Sequence, residues 1–469
     1  MSVAAVVIVA RRFVKIPNKI FLTPPKESPA MPSVLQEYQQ RLTTPEAAVQ
    51  LLQSDTNIGL GVALNQPPAL MGAIAQRLRE GSLDNLRLYY QNAMQHMADT
   101  VLADDVLHAV HPHTFFLTEV DRRIVKQQRA IGKKILSYVP AYFYQTPRLF
   151  TDFIKLDACL ITVSPMDKGG YFSFGTNNDW SSTAIRNCQH AIIEVNPHMP
   201  RVFGDALLHV TEVHKIVEHA TPLLESKDRD ADPRDEGIGK AIAELVPDGA
   251  TLQFGIGGIP NAVCRFLANH RDLGIHSELL TPSMAALVEA GVVNGRRKTL
   301  HRWKHVFTLA LGNRALFDFM DDNSSVESYP VSYNNEPSVI ARNHLMTSVN
   351  SALEIDLYGQ VSAESIDWHE FSGTGGALDF MRGAFESPNG HSFLALYATA
   401  KHDTVSRIVP RLTSLVTDPR MDTEYVVTEY GVTNLKGKST RERALSLIEL
   451  ADPKFREELL AEATKMTLI

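Results

Sequence analysis

Three short motifs recur along this chain in the same order, and that duplication constrains the fold more than any other feature. Gly59-Leu60-Gly61 followed by Pro67-Pro68-Ala69 is echoed by Gly255-Ile256-Gly257 followed by Pro260-Asn261-Ala262. Asp167-x-x-Gly170-x-x-Ser173 is echoed by Asp356-x-x-Gly359-x-x-Ser362, and Val210-Thr211-Glu212 by Val427-Thr428-Glu429. The offsets are 196, 189 and 217 residues. One such match arises by chance; three in order indicate a tandem repeat. Each half alternates short β-branched runs, with strands expected at 191–195, 306–311 and 393–398, and helical patterns at 68–79 and 440–450. The fold class that follows is α/β: two similar tandem α/β domains with largely parallel sheets. Ligands in such folds bind beyond the carboxyl ends of the strands, so the active site is expected in the crevice between the domains.

A chain of 469 residues accommodates two such domains. The polar, proline-containing run from Glu225 to Arg234 reads as the connection. The division expected is an N-terminal domain over 36–225, a linker over 226–236 and a C-terminal domain over 237–469. Residues 1–35 read as an extension outside the fold. Its apolar start precedes its charges (Arg11, Arg12, Lys15, Lys19), the reverse of a secretory signal. The extension is basic and free of acid until Glu27, which fits a transit peptide or an upstream extension of a domain starting near Met31. A cytoplasmic location is expected, with a mitochondrial one as the alternative if the extension directs import.

Composition narrows the function classes. The net charge of −7, without a block of like charges, argues against nucleic acid as a partner. No apolar run approaches the roughly 18 residues of a membrane span. Cys159, Cys188 and Cys264 are far apart and form neither a disulfide framework nor a zinc pattern. Cys264 falls within an apolar helical pattern and reads as a core thiol.

Residues 250–284 hold the chemistry. An apolar strand, Thr251–Phe254, runs into Gly255-Ile256-Gly257-Gly258-Ile259-Pro260; a helix follows, and a second apolar run delivers Glu278. Glycines after a strand let the backbone approach a ligand, and Pro260 suits a first helical turn. The free N–H groups of such a turn can serve an oxyanion or a phosphate. A carboxylate at the end of the neighbouring strand makes an acyl-transfer centre. A dinucleotide fingerprint is the rival reading, since Glu278 falls 21 residues after Gly257. Pro260 occupies the place of its third glycine, and no Walker pattern follows. Glu278 alone would read as a surface carboxylate, but Leu273, Ile275, Leu279 and Leu280 surround it with apolar residues.

A second glycine-rich segment, Gly373-Thr374-Gly375-Gly376, reads either as a plain tight turn or as donors on the far side of the same pocket. The basic run Arg296, Arg297, Lys298, His301, Arg302, Lys304 and His305 reads as a solvated helix end or loop, with phosphate contact as the lesser alternative. His108, His111 and His113 show no metal spacing, and Ser164 sits outside any G-x-S-x-G elbow.

Gln253-Phe254-Gly255-Ile256-Gly257-Gly258-Ile259-Pro260 and His276-Ser277-Glu278 resemble the acetyl-CoA hydrolase/transferase family of class I CoA-transferases, in its 4-hydroxybutyrate CoA-transferase branch. Val163-Ser164-Pro165-Met166-Asp167, Tyr171-Phe172-Ser173-Phe174-Gly175, Gly373-Thr374-Gly375-Gly376 and Thr428-Glu429-Tyr430-Gly431-Val432 extend the likeness from about residue 36 to the C-terminus. The resemblance implies Glu278 as the catalytic nucleophile of a ping-pong reaction through a glutamyl-CoA thioester. It implies oxyanion and CoA-binding roles for Gly255, Gly257, Gly258, Ile259, Pro260, Gly373, Gly375 and Gly376, with amides around Gly257 and Gly375 as the oxyanion donors. Coenzyme A thioesters (acetyl-, butyryl- or succinyl-CoA) are then substrates, a small C4–C5 acid of the 4-hydroxybutyrate, butyrate or itaconate type is the acceptor, and neither a metal nor a permanently bound cofactor is required. A homodimer or homotetramer is implied as well. A thioester hydrolase on the same residues and a non-catalytic CoA- or nucleotide-binding protein are the alternatives.

Overall fold

Strands buried on both faces need helices on both sides, and most strand residues here are apolar or buried. The computed structural model describes residues 33–226 and 232–469. In its first half, β1 (Asn57–Leu60), β2 (Leu86–Tyr90), β3 (Val110–Thr114), β4 (Ser137–Tyr138), β5 (Leu156–Val163), β6 (Cys188–Val195) and β7 (Lys215–Glu218) form a parallel sheet of order β7-β6-β5-β1-β2-β3-β4. In the second half, β8 (Thr251–Phe254), β9 (Gly274–Ile275), β10 (Met346–Ser351), β11 (His391–Ala395), β12 (Tyr425–Thr428) and β13 (Gly431–Asn434) form a sheet of order β9-β8-β10-β11-β12-β13. Only its β12–β13 pair is antiparallel.

The two orders share a core: β7-β6-β5-β1-β2 matches β12-β11-β10-β8-β9. The duplication is therefore one of topology. Asp167 and Asp356 each follow their equivalent strands, β5 and β10, and build the same turn. Asp167 Oδ1 accepts the N–H groups of Gly169 and Tyr171, and Asp356 Oδ1 those of Tyr358 and Gln360. Gly170 and Gly359 adopt φ values of 90° and 87° in these turns, which glycine alone adopts without strain. The glycine echo slips by two residues: Gly61 and Gly255 each come directly after their strand, whereas Gly59 lies within β1. The third echo is coincidental. Val210–Glu212 is a short turn before β7, while Val427 and Thr428 lie inside β12.

Strand pairing carries the correspondence further. Ile58 of β1 pairs with both Ala158 and Leu88, and Leu252 of β8 with both Thr347 and Ile275. Ala158 and Thr347 each stand nine residues before the turn aspartate, so Ile58 matches Leu252 and Leu88 matches Ile275. Three residues beyond Leu88 is Gln91; three beyond Ile275 is Glu278.

Helices α1 (Val34–Arg41), α2 (Pro68–Arg79), α3 (Pro233–Ala243), α4 (Gly258–Phe266), α5 (Ala377–Glu386) and α6 (Thr440–Leu450) include the crossovers that matter here. α2 has the expected bounds, with proline at its start, Arg77 and Arg79 in its last turn, and Leu70, Met71, Ile74 and Leu78 buried along one stripe. At its start Glu194 of β6 accepts the Leu70 N–H at 3.0 Å, in full burial. α6 likewise matches, its start fixed by the Ser439–Glu442 capping box. The expected strand 306–311 breaks at Thr308: His305–Phe307 pairs with Val326–Ser328, and Leu309–Ala310 pairs with Leu279–Leu280.

Most of the expected N-terminal extension lies outside the described residues. The last three of its residues are described: Ser33 caps α1, and further along α1 the Tyr38 hydroxyl donates to Glu218. Within the expected linker, 227–231 lie outside the described residues, and α3 begins at Pro233 with Asp232 as its cap. The halves interlock. Phe203–Gly204 of the first half adds to the strand pair at Val326–Ser328, and one apolar cluster joins Phe115, Phe150 and Trp180 to Leu279, Leu309 and Val331. No helix among the described residues is long and apolar enough to cross a membrane.

Candidate active site

Glu278 stands where the chain leaves β9 and enters the short strand Leu279–Leu280. Its carbonyl oxygen accepts the N–H groups of Thr308 and Leu309 at 3.1 and 3.0 Å, which fixes the backbone beneath the side chain. The Asn335 side-chain amide donates to Glu278 Oε2 at 2.7 Å. Asn335 cannot turn over, because its own oxygen accepts from Asn334 Nδ2 at 3.0 Å. Asn334 Nδ2 also donates to the Ser277 carbonyl, and the His276 ring donates to the Asn334 carbonyl at 2.8 Å. Burial drives His276 down to about 3, so the ring is neutral and serves as a strut.

The second glycine segment closes over this carboxylate. A Cβ on Gly376 would overlap Glu278 Oε2 and Asn335 Nδ2, so only glycine permits the approach. Gly375, at φ 54°, passes beside Glu278 Oε1, and the Gly376 N–H faces the carboxylate. Gly373 is pressed against the backbone of Phe115 and Phe116, and Leu117 donates its N–H to the Ser372 carbonyl at 2.9 Å. The loop is thus held by the first half of the chain.

Glu278 opens on a cavity of about 230 Å³. Gln91, Asn92 and Phe116 line it from the first half; Gln253, Gly255, Ile256, Asn350 and Gly373–Gly376 line it from the second. Gln253 and Asn350 satisfy one another through paired amides at 3.1 and 3.2 Å. Burial pushes the Glu278 carboxyl up to about 7; the Asn335 amide and the Gly376 N–H pull it back, and the charge of Asp179 adds to the rise. Asp179, fully buried, is itself raised to about 6 by burial against hydrogen bonds from Ser181. Asp379, in the first turn of α5, is raised by burial and by the Glu278 charge; its Oδ2 accepts the Tyr144 N–H. A carboxylate held this way is short of solvation and correspondingly nucleophilic.

The first glycine turn divides. Gly255 and Ile256 line the cavity, whereas Gly257, Gly258, Ile259 and Pro260 do not. Gly257 caps α4 at φ 129°, and Ile259 and Pro260 are buried in its first turn. Gly258 leaves room for the Asp235 carboxylate, which a Cβ would strike. Asp235 is buried and accepts from the Tyr397 hydroxyl at 2.6 Å.

Three other sequence readings resolve locally. Cys264 is buried in α4, where burial pushes its thiol up to about 12. Ser164 accepts the Ser173 N–H and ties β5 to the next strand. The basic run splits: Arg296, Arg297 and Arg302 are exposed, but Lys298 and His305 are buried, contrary to a solvated loop. Lys298 Nζ donates to the carbonyls of Ile275 and Lys304 at 2.6 and 2.8 Å, and burial lowers it to about 7. Folding this segment over the end of β9 turns one of its lysines inward. Among the described residues no cluster of three or more His, Cys, Asp or Glu side chains could hold a metal. Asn335, Gln91, Asn92, Phe116, Asp179 and Asp379 were missed by motif reading; the doublet Asn334-Asn335 was the one local hint.

Two family models account for most of the chain. The acetyl-CoA hydrolase/transferase N-terminal domain matches residues 31–225, and the C-terminal domain of the same family matches 312–463. The chain belongs to the acetyl-CoA hydrolase/transferase family. It is 40% identical to a 4-hydroxybutyrate coenzyme A transferase of Clostridium kluyveri over 435 residues, 91% of this chain and 98% of that protein. It is 38% identical to a succinyl-CoA:cyclohexane-1-carboxylate CoA transferase of Geobacter metallireducens, over 92% of this chain and 97% of that protein. The crystal structure of RipA from Yersinia pestis, 44% identical, superposes with a TM-score of 0.89 and covers 93% of this chain and all of that one. That solved structure shares the fold of two tandem α/β halves.

Proposed function

We propose that this protein is a CoA-transferase that moves CoA from a short-chain acyl-CoA to a small carboxylic acid through a covalent glutamyl-CoA thioester on Glu278. The observation that carries the reading is the placement of that carboxylate, raised in proton affinity and held between the Asn335 amide and the Gly375-Gly376 backbone at the base of a cavity. Family membership supports the reaction class.

In the first step a Glu278 oxygen attacks the thioester carbonyl; the C–S bond breaks, giving an acyl–glutamyl anhydride and CoA thiolate. The thiolate then attacks the glutamyl carbonyl, and the acyl group leaves as a free carboxylate. The incoming acid reverses both steps and departs as its CoA thioester, so thioester energy is conserved and no proton is gained or lost. During thiolate attack the glutamyl oxygen becomes an oxyanion, for which Asn335 and the Gly376 N–H are positioned donors. Gly375 is positioned beside the other carboxylate oxygen. The Gly257 amide is set aside as an oxyanion donor, since Gly257 does not line the cavity that holds Glu278. Excluding water from the anhydride separates transfer from hydrolysis.

Incubation with acyl-CoA in the absence of acceptor tests this directly. Intact mass should show one CoA adduct, located by digestion to the Glu278 peptide and absent in Glu278→Ala. Turnover without that adduct would overturn the covalent reading. Thiol release that does not depend on added carboxylate would assign a hydrolase, and tight CoA binding without turnover a binding protein.

A further inference from the structure

The cavity at Glu278 has no arginine, lysine or histidine among its lining residues. A CoA thioester ends in a diphosphate and a 3′-phosphate, so its anionic end needs cations outside that cavity. The second half supplies them nearby. Ser351 lines the cavity and pairs with Ala395, the last residue of β11, from which the chain continues through Tyr397. Strand spacing and rise put Tyr397 about 8 Å from that wall.

Two guanidinium groups lie against the Tyr397 ring, Arg234 at 4.1 Å and Arg407 at 5.8 Å from its centroid. The ring is fixed, because its hydroxyl donates to Asp235, the carboxylate for which Gly258 makes room. The cluster therefore stands beside the glycine turn, at the carboxyl ends of β8, β10 and β11. Arg234 is satisfied by Asp232 at 2.7 Å and Asp403 at 3.5 Å. Arg407 is not. Its backbone is held, the N–H donating to the Ala398 carbonyl at 2.9 Å. Its side chain is half-buried, yet the guanidinium has neither a hydrogen bond nor an ion pair among the described residues. The charge of Glu429 favours it from a distance, but an oxygen of that carboxylate already accepts the Ala398 N–H at 2.9 Å. Burial and the Arg234 charge both pull Arg407 below the ordinary arginine value. An oxyanion at the two guanidinium groups would offset both costs.

We infer that Arg407, with Arg234 beside it, receives a phosphate of the incoming acyl-CoA. This rests on the CoA-transferase reading and locates the end of the substrate that does not react. Arginine suits the task, since its planar fork offers two N–H groups to one phosphate.

The test compares acetyl-CoA with S-acetylpantetheine, which keeps the thioester and its arm but has no phosphate, each with butyrate as acceptor. Arg407→Gln should lower the ratio of their kcat/KM values by about 10–100-fold, through the KM of acetyl-CoA. Arg407→Lys, which keeps the charge, should lower it less. Both donors are read on the same protein, so a loss of folded enzyme leaves the ratio unmoved. With acetyl-dephospho-CoA, which lacks the 3′-phosphate alone, a persisting penalty assigns the diphosphate and a vanished one the 3′-phosphate; either supports the site. A ratio unmoved by Arg407→Gln overturns the inference. So does a rise confined to the KM of butyrate, which would make this a seat for the acceptor's carboxylate. If acetyl-CoA does not label wild-type Glu278, the proposed reaction itself fails. Calorimetric binding of CoA to Glu278→Ala, with and without Arg407→Gln, then still decides whether Arg407 holds phosphate.

Discussion

Because burial holds the Glu278 carboxyl at about 7, much of the free enzyme is protonated at neutral pH. In the proposed reaction the ionised form attacks, so kcat/KM should fall about tenfold per unit below that pH. Asp179 contributes repulsion, and Asp179→Asn should therefore move the acidic limb to lower pH; a limb that stays in place would show that the coupling is absent. The same shift has a stability counterpart. A carboxyl whose folded value exceeds its unfolded value near 4.5 binds more protons in the native state between the two, so stability declines as pH rises through that window. The penalty is complete above about 7, and Glu278→Gln should be more stable there by about 3 kcal/mol and indistinguishable near pH 4. Denaturant titrations at the two pH values measure this. Asn335→Ala removes a fixed donor and should slow adduct formation by about 10²–10³, read by quenched mass analysis.

Among the elements, α4 shows how a glycine can be required for a reason other than the one its motif suggests. Gly258 makes room for the buried carboxylate of Asp235, so Gly258→Ala should destabilise the protein by about 1–3 kcal/mol, seen as a lower denaturation midpoint. The bounds of α2, α6 and β8 were legible in the sequence because proline, capping and β-branched signals are local. So was Glu278, which an apolar setting and two glycine segments marked. Asn335 was not, since it arrives from 57 residues away in sequence and its role depends on an amide held by Asn334. The inward turn of Lys298 was hidden for a similar reason: its partners are backbone carbonyls, which no side-chain pattern encodes.

For the whole molecule, contacts between the halves are too extensive for them to act as beads on a string. Besides the strand at Phe203–Gly204, the Tyr138 hydroxyl donates to Glu364 and the Tyr144 N–H to Asp379. A single chain cut introduced between Lys227 and Ala231 should therefore leave two pieces that co-elute and unfold in one transition. Separation of the pieces on gel filtration would contradict this.

The Glu194 carboxylate at the head of α2 has a consequence for counting. Its oxygen occupies the amide end of that helix, in the half where the position equivalent to Glu278 is held by Gln91. The two halves share one strand topology, yet the first is closed at this helix start and carries an amide, which cannot form an acyl anhydride. Labelling with acyl-CoA should accordingly saturate at a stoichiometry of one CoA per chain, however great the excess of reagent.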